Sequence, residues 1–329
     1  MEAAPPKEGR ENVKHLMRAM IATGALALVA VGTGAPAHAK DIKIGIVNFT
    51  LCCSYFVGMD KAVADEASAY KNVTTISTDA KGDAAKLTSN VEDLLAQKVD
   101  GLIISGGPLA AAPEALDAAK QAGVPVVLVD RDFVGGDYSS WVGPDNKAIG
   151  TGIGKYIADR LGGKGLVADI RGGPADNTIG LDRTNGMRSV VEPAGIKVEL
   201  SPDFGGWGAD GGFKVAEEML TKLPNINAFF CENDDMCAGA QKAIKDAGLS
   251  DKVFVASVDG AKGTIKEIMT PGSNWGATGQ NNSDQIGRAG FHRLMAILAG
   301  AEPPKTTVLP SPIITKDNAV RFYNEGSIF

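Results

Sequence analysis

Histidine is scarce in this chain: three occur in 329 residues, His15, His38 and His292. Two of them fall in a stretch that reads as removable. A Ser/His/Asp triad needs a histidine held by partners, and zinc sites draw on several His or Cys at set spacings. Both chemistries therefore lose their support. The four cysteines, Cys52, Cys53, Cys231 and Cys237, form no Cys-x-x-C, so a thioredoxin-like redox site is not indicated. There is no long basic stripe and the formal net charge is −6, which leaves no basic face for a nucleic-acid backbone. The apolar run from Ala19 to Val31 is too short to cross a bilayer as a helix, and no other stretch reads as a span.

With 44% apolar and 22% charged residues, the chain can bury a large core, and its length suits two lobes better than one. Lys14 and Arg18, the uncharged run, and small residues ending in Ala37-His38-Ala39 before Lys40 have the order of a secretory signal. Cleavage is expected after Ala39. That segment carries four basic residues (Lys7, Arg10, Lys14, Arg18) against three acidic ones (Glu2, Glu8, Glu11), so −6 becomes −7 on its removal. The three acids ahead of Arg18 point to Met17 as an alternative start, and an uncleaved anchor is the competing reading. An exported chain meets an oxidising compartment, where disulfides form. A bridge between Cys231 and Cys237 is geometrically possible. Cys52 and Cys53 are expected as two free thiols, since a ring between neighbours is strained.

From Lys40 onward short apolar runs alternate with amphipathic stretches. Strands are expected over residues 42–49, 73–78, 101–105, 125–130 and 140–142, with helices over 55–70, 84–97 and 113–122 between them. The pattern restarts with strands over 165–169, 196–200, 228–231 and 253–258 and helices over 149–161, 213–223 and 238–247. This predicts an α/β fold of two Rossmann-like lobes with parallel sheets. Gly150, Gly152 and Gly154 fall inside a predicted helix, where close packing is a better reading than phosphate binding, and Gly162–Gly165 reads as a helix-ending turn. Polar residues gather at the carboxyl ends of predicted strands: Asp130-Arg131, Glu232-Asn233-Asp234-Asp235 and Asp259. Open α/β sheets bind ligands at that edge. Taken singly, each residue is as well explained as a helix cap or a surface charge; their recurrence in both halves favours a site.

At this point the mature chain resembles, over nearly its whole length, the periplasmic sugar-binding proteins of the ribose-binding type, the soluble receptors of ABC (ATP-driven) importers. The resemblance is carried by Thr50-Leu51 with Tyr55-Phe56, Val129-Asp130-Arg131, Arg183 with Gly186, Asn233-Asp234 with Met236, Val258-Asp259-Gly260, and Asp284-Gln285-Ile286-Gly287. It implies a type I periplasmic binding fold with a three-strand hinge and crossings near Pro144, Gln280 and Pro310. The lobes would comprise residues 40–144 plus 281–311 and 145–280 plus 312–329, after a signal at 1–39. It also implies a ligand site of Tyr55, Phe56, Ser105, Asp130, Arg131, Arg183, Trp207, Asn233, Asp259 and Gln280, with Asn281 competing for the last place.

Sugars present hydroxyls around apolar C–H faces, so planar polar side chains and aromatics are the matching chemistry. Trp207, in the loop Gly205-Gly206-Trp207-Gly208, is the leading stacking candidate. The sequence departs from the family pattern with Phe49, Cys52 and Cys53 where polar residues are usual, Ser105 where asparagine is common, and Val258 where an aromatic is common. A guest with fewer or different hydroxyls on that side is implied: a deoxysugar, a small polyol or a furanose. No cofactor or metal is expected. The expected partners are a sugar or polyol and an importer permease, with a chemoreceptor or sensor kinase as a further option, and the chain is expected to be a monomer. The alternative from another class is a secreted carbohydrate-active enzyme using two carboxylates among Asp130, Asp234 and Asp259.

Overall fold

The alternating runs fold into two open sheets in the computed structural model, which describes residues 40–105, 112–131, 136–173 and 179–329. The segment 1–39, with the expected signal and its cleavage point, lies outside the described residues. The first sheet contains β1 (Ile42–Asn48), β2 (Val73–Asp79), β3 (Gly101–Ser105), β4 (Val126–Val129), β5 (Ser140–Pro144) and β11 (Thr306–Leu309), in the order β11-β5-β4-β3-β1-β2. The second contains β6 (Gly165–Ile170), β7 (Ile196–Leu200), β8 (Ala228–Cys231), β9 (Phe254–Asp259), β10 (Trp275–Gln280) and β12 (Ile313–Thr315), in the order β12-β10-β9-β8-β6-β7. The strand pairings are parallel, save that β12 runs antiparallel to β10. Every residue of β3 and β4 is buried, as strands covered by helices on both faces require.

Helices α1 (Ser54–Ser68), α2 (Ala84–Ala96), α3 (Pro113–Gln121) and α9 (Ser283–Leu298) pack on the first sheet or on each other beside it. The second sheet is flanked by α4 (Asn146–Leu161), α5 (Ile179–Val191), α6 (Ala209–Lys222), α7 (Asp234–Asp246) and α8 (Lys262–Met269). Local chemistry sets their ends. Asp83, Asp145, Asn233 and Asn282 each accept from the backbone N–H three residues on, capping α2, α4, α7 and α9. Gly162, at φ 60°, closes α4, which is the turn expected there. The glycines inside α4 serve packing: a methyl group on Gly150 would lie 2.1 Å from the Arg183 carbonyl oxygen, so α4 and α5 meet backbone to backbone. No helix is expected over 179–191, because Arg183, Thr184 and two glycines interrupt the buried face of α5 and leave only Ile179, Met187 and Val191 as its apolar residues.

The chain passes between the sheets after Pro144, after Gln280, and between Leu309 and Ile313. One feature departs from the expected lobes. Phe329 packs with Ile44, Ile46, Tyr55 and Met59 in a core of the first lobe, so the tail after β12 does not all stay with the second. Cys231 and Cys237 are bridged, their Cα atoms 5.4 Å apart, which ties the end of β8 to the first turn of α7.

Candidate functional site

In each sheet the strand order reverses beside the first strand, between β1 and β3 and between β6 and β8. The crevice outside the carboxyl ends of the strands at such a reversal is where α/β sheets hold ligands. Most of the residues picked out from the sequence lie at or near those ends, and their backbone is unusual. Among the described residues five non-glycines have positive φ, and three of the five are Asp130 (70°), Trp207 (62°) and Asp259 (138°). Backbone strain of this kind concentrates where function fixes a side chain's direction.

Four of the residues form two linked pairs. The Tyr55 hydroxyl donates to Asp130 Oδ1 at 2.6 Å, joining α1 to the end of β4. Arg183 of α5 pairs with Asp259 at the end of β9, Nη1 to Oδ1 3.6 Å. The same guanidinium donates from Nε to Asn146 Oδ1 at 2.9 Å and from Nη1 to the Glu232 carbonyl at 2.5 Å. These pairs belong to different sheets yet lie close enough for their charges to interact. Burial, then the Asp130 and Asp259 carboxylates, hold the Tyr55 hydroxyl well above its usual range, and Arg183 opposes them. Tyr55 therefore remains a donor at any ordinary pH. Burial also pushes the Asp259 carboxyl upward, against the pull of Arg183.

The remaining candidates are placed less simply. Ser105 is turned into the first lobe, where its hydroxyl donates to Asn48 Oδ1 at 2.7 Å; Asn48 in turn donates to Asp60. That hydroxyl proton is not available to a guest. Asn233 uses its carbonyl oxygen to cap α7 and gives one amide hydrogen to the Trp207 carbonyl at 3.1 Å, leaving one hydrogen free to donate. The Trp207 ring rests on Gly172, where a methyl would come within 2.1 Å of it, and packs against the second lobe's core. This loop has more packing than its sequence suggested. Phe56 is half-buried and edge-on to Tyr55 at 5.2 Å. Arg131 follows Asp130 and is half-buried.

Gln280 and Asn281 both reach the region. Asn281 donates to Asp259 Oδ1 at 3.3 Å, and its buried Oδ1 has no hydrogen-bond partner. A buried acceptor without a donor is costly, and a guest hydroxyl would satisfy it. Asn281 is thus a stronger candidate than the spacing indicated. Asn146, the partner of Arg183, carries no sequence signal at all. On the first lobe's side Cys52 is exposed and Cys53 half-buried, both unbridged. Burial pushes the Cys53 thiol up to about 12, against a backbone hydrogen bond with Phe56 that lowers it, and Cys53 packs against the first lobe's core.

Asp234, one of three carboxylates considered for catalysis, is turned inward. It accepts from the hydroxyls of Ser257 (2.5 Å) and Thr278 (2.8 Å) and from the Ala261 N–H (2.8 Å). Burial nevertheless raises its pKa to about 6. A second buried acid, Asp169, shares the Thr184 hydroxyl with Glu232, and burial followed by the Glu232 charge pushes it well upward. No group of three or more His, Cys, Asp or Glu among the described residues is placed to hold a metal ion.

Residues 44–302 match the model of a family described as periplasmic binding protein domain. The chain is 31% identical to the ribose import binding protein of Bacillus subtilis over 278 residues, 84% of this chain and 88% of that one. It is 29% identical to the xylitol-binding protein of Mycolicibacterium smegmatis over 312 residues, 93% and 87% of the two chains. Among solved structures, an ABC transporter solute binding protein from Mycobacterium smegmatis with bound glycerol superposes with a TM-score of 0.80 at 27% identity, covering 87% of this chain and 98% of the other.

Proposed function

Because the chain belongs to the periplasmic binding protein family, we propose that it captures a sugar or sugar-like polyol between its lobes and hands it unaltered to an ABC importer. The observation that carries this reading is the approach of the Tyr55–Asp130 pair of one lobe to the Arg183–Asp259 pair of the other, for Ala261, two residues beyond Asp259, packs against the first-lobe core that contains Tyr55. A guest hydrogen-bonded to both pairs gains more in the closed arrangement than in an open one, so it shifts the lobes toward closure. The lobes are residues 40–144 plus 281–311 and 145–280 plus 312 onward, with the last residues returning to the first. Tyr55, Phe56, Asp130 and Arg131 are the first lobe's contacts. Arg183, Trp207, Asn233 and Asp259 are the second's, with Gln280 or Asn281 at the crossing between them. Ser105 supports the cleft from behind.

The first lobe supplies Phe49, Cys52, Cys53 and Phe56 near the cleft edge, few of them strong hydrogen-bonding groups. This favours a guest with an apolar or hydroxyl-poor side, such as a deoxysugar, a small polyol or a furanose. Export with cleavage after Ala39, a monomeric state, and a second role in signalling belong to the same reading. An enzyme is the weaker alternative: Asp234 is held inward by three donors, while Asp130 and Asp259 each already have a partner.

A thermal-shift panel of D-ribose, D-allose, xylitol, glycerol and a deoxyhexose tests the reading. A guest at one hundred times its Kd adds about 2.7 kcal/mol to the native state and raises Tm accordingly. Calorimetry on the best hit and scattering with and without it should show tight binding and compaction. A flat panel with no compaction refutes capture, and conversion of any of these compounds to product would favour the enzyme.

A further inference from the structure

After the short 3-10 turn at Ala319–Arg321, Phe322 and Tyr323 still pack on the second lobe's core, and beyond them the chain runs to Phe329 in the first lobe's core. Lys262, the first residue of α8, donates from Nζ to the Glu325 carbonyl at 3.3 Å and to the Ser327 carbonyl. Ser327 in turn donates from Oγ to Asp284 Oδ2 of α9 at 3.0 Å, on the first lobe. Phe329 is 6% exposed, and its ring stands edge-on to Tyr55 with centroids 5.2 Å apart. It fits where α1 has Gly58, at which a methyl would lie 3.2 Å from Phe329 Cβ. Tyr55 is thus held edge-on by Phe56 and by Phe329 while its hydroxyl reaches Asp130.

The two anchors differ in strength. Burial of an aromatic ring outweighs hydrogen bonds from an ammonium group to carbonyls, for which water competes. Parting of the lobes is therefore expected to leave the segment on the first lobe and to break the Lys262 bonds.

We propose that residues 324–329 form a fourth link between the lobes and that Phe329 is a positioning residue for Tyr55. It sets the phenol against Asp130 without touching the guest, and Lys262 ties that grip to closure. The affinity arm of the test rests on the carbohydrate reading above; the packing arm does not.

Hydroxyl-radical footprinting of the sugar-free protein reads the packing. In Phe329→Ala, oxidation of Tyr55 should rise several-fold while the protein stays folded, and Phe329→Leu should restore most of the protection. Lys262→Ala should leave Tyr55 covered but speed hydrogen exchange in 324–327. Calorimetry with the tightest of D-ribose, D-allose and xylitol reads the function. Phe329→Ala should weaken binding about tenfold, and the same change made in Tyr55→Phe should add little, because it acts through the hydroxyl. Unchanged Tyr55 oxidation in Phe329→Ala overturns the proposal, as do fully additive effects in the double variant. If no compound of the thermal-shift panel binds the parent or compacts it while Phe329→Ala uncovers Tyr55, the carbohydrate reading falls and the packing of Phe329 on Tyr55 stands.

Discussion

Arg183 concentrates the site's chemistry in one side chain. Its fork bonds Asn146 and the Glu232 carbonyl and faces Asp259, all within a lobe interior where it is 3% exposed. A guanidinium used this way braces the lobe as well as binding a guest, so truncating it does more than remove a contact. Arg183→Ala leaves Asp259 buried without its counter-charge, a loss of about 3–5 kcal/mol in comparable pairs. The expected outcome is a lower urea midpoint together with lost affinity. Arg183→Lys keeps the charge without the fork and should lower affinity more than stability. Denaturation and calorimetry on both variants check this; an Arg183→Ala protein that unfolds like the parent would show that the bracing role is absent.

Two elements, α4 and α5, present this arginine, and they approach so closely that only hydrogen fits between them at certain positions. The methyl of Gly150→Ala would sit 2.1 Å from the Arg183 carbonyl, and that of Gly186→Ala 2.3 Å from the Lys147 carbonyl. Because the obstacle is backbone, the helices must separate. Gly150→Ala is therefore expected to destabilise by about 1–3 kcal/mol, the usual range for overpacking, although alanine is the better helix former. Displacing α5 also moves Arg183, so affinity should fall in parallel. Thermal denaturation with a binding assay tests both; a Gly150→Ala protein as stable as the parent would mean that the seam opens freely. A second element pair, β8 and α7, is held by the Cys231–Cys237 bridge, which steadies the turn that carries Asn233 and Asp234.

Across the whole molecule, buried acids shape the response to pH. Asp234 is raised to about 6 by burial, and burial raises Asp169 and Asp259 in the same direction. The folded chain therefore binds these protons more tightly than the unfolded chain, whose carboxyls titrate near 4. The sign is that of a raised group: its contribution is fully present below pH 4 and is lost as pH rises through the folded value. For Asp234 the window is about pH 4 to 6, and the loss is on the order of a few kcal/mol. The urea midpoint should fall between pH 5 and pH 7, with a shallower slope in Asp234→Asn. A midpoint that rises over that interval would contradict it.

The alternation of short apolar runs with amphipathic stretches was enough to establish two parallel α/β lobes, because strand and helix periods are local properties of the chain. A family pattern singled out Asp130, Arg183 and Asp259 as candidates, and context gave the helix reading of Gly150. Other features had no local mark. Helix α5 buries Arg183, Thr184 and two glycines among few apolar residues, so its apolar stripe is broken. Ser105 turns inward because Asn48 waits there, 57 residues away. The Asn281 acceptor left without a donor, and the return of Phe329 to Tyr55 across more than 270 positions, depend on which surfaces meet once both lobes have folded. Sequence determined most of the elements and the chemistry at their ends; only the packing of distant segments decided which of those groups were satisfied by the protein itself and which were left without a partner in it.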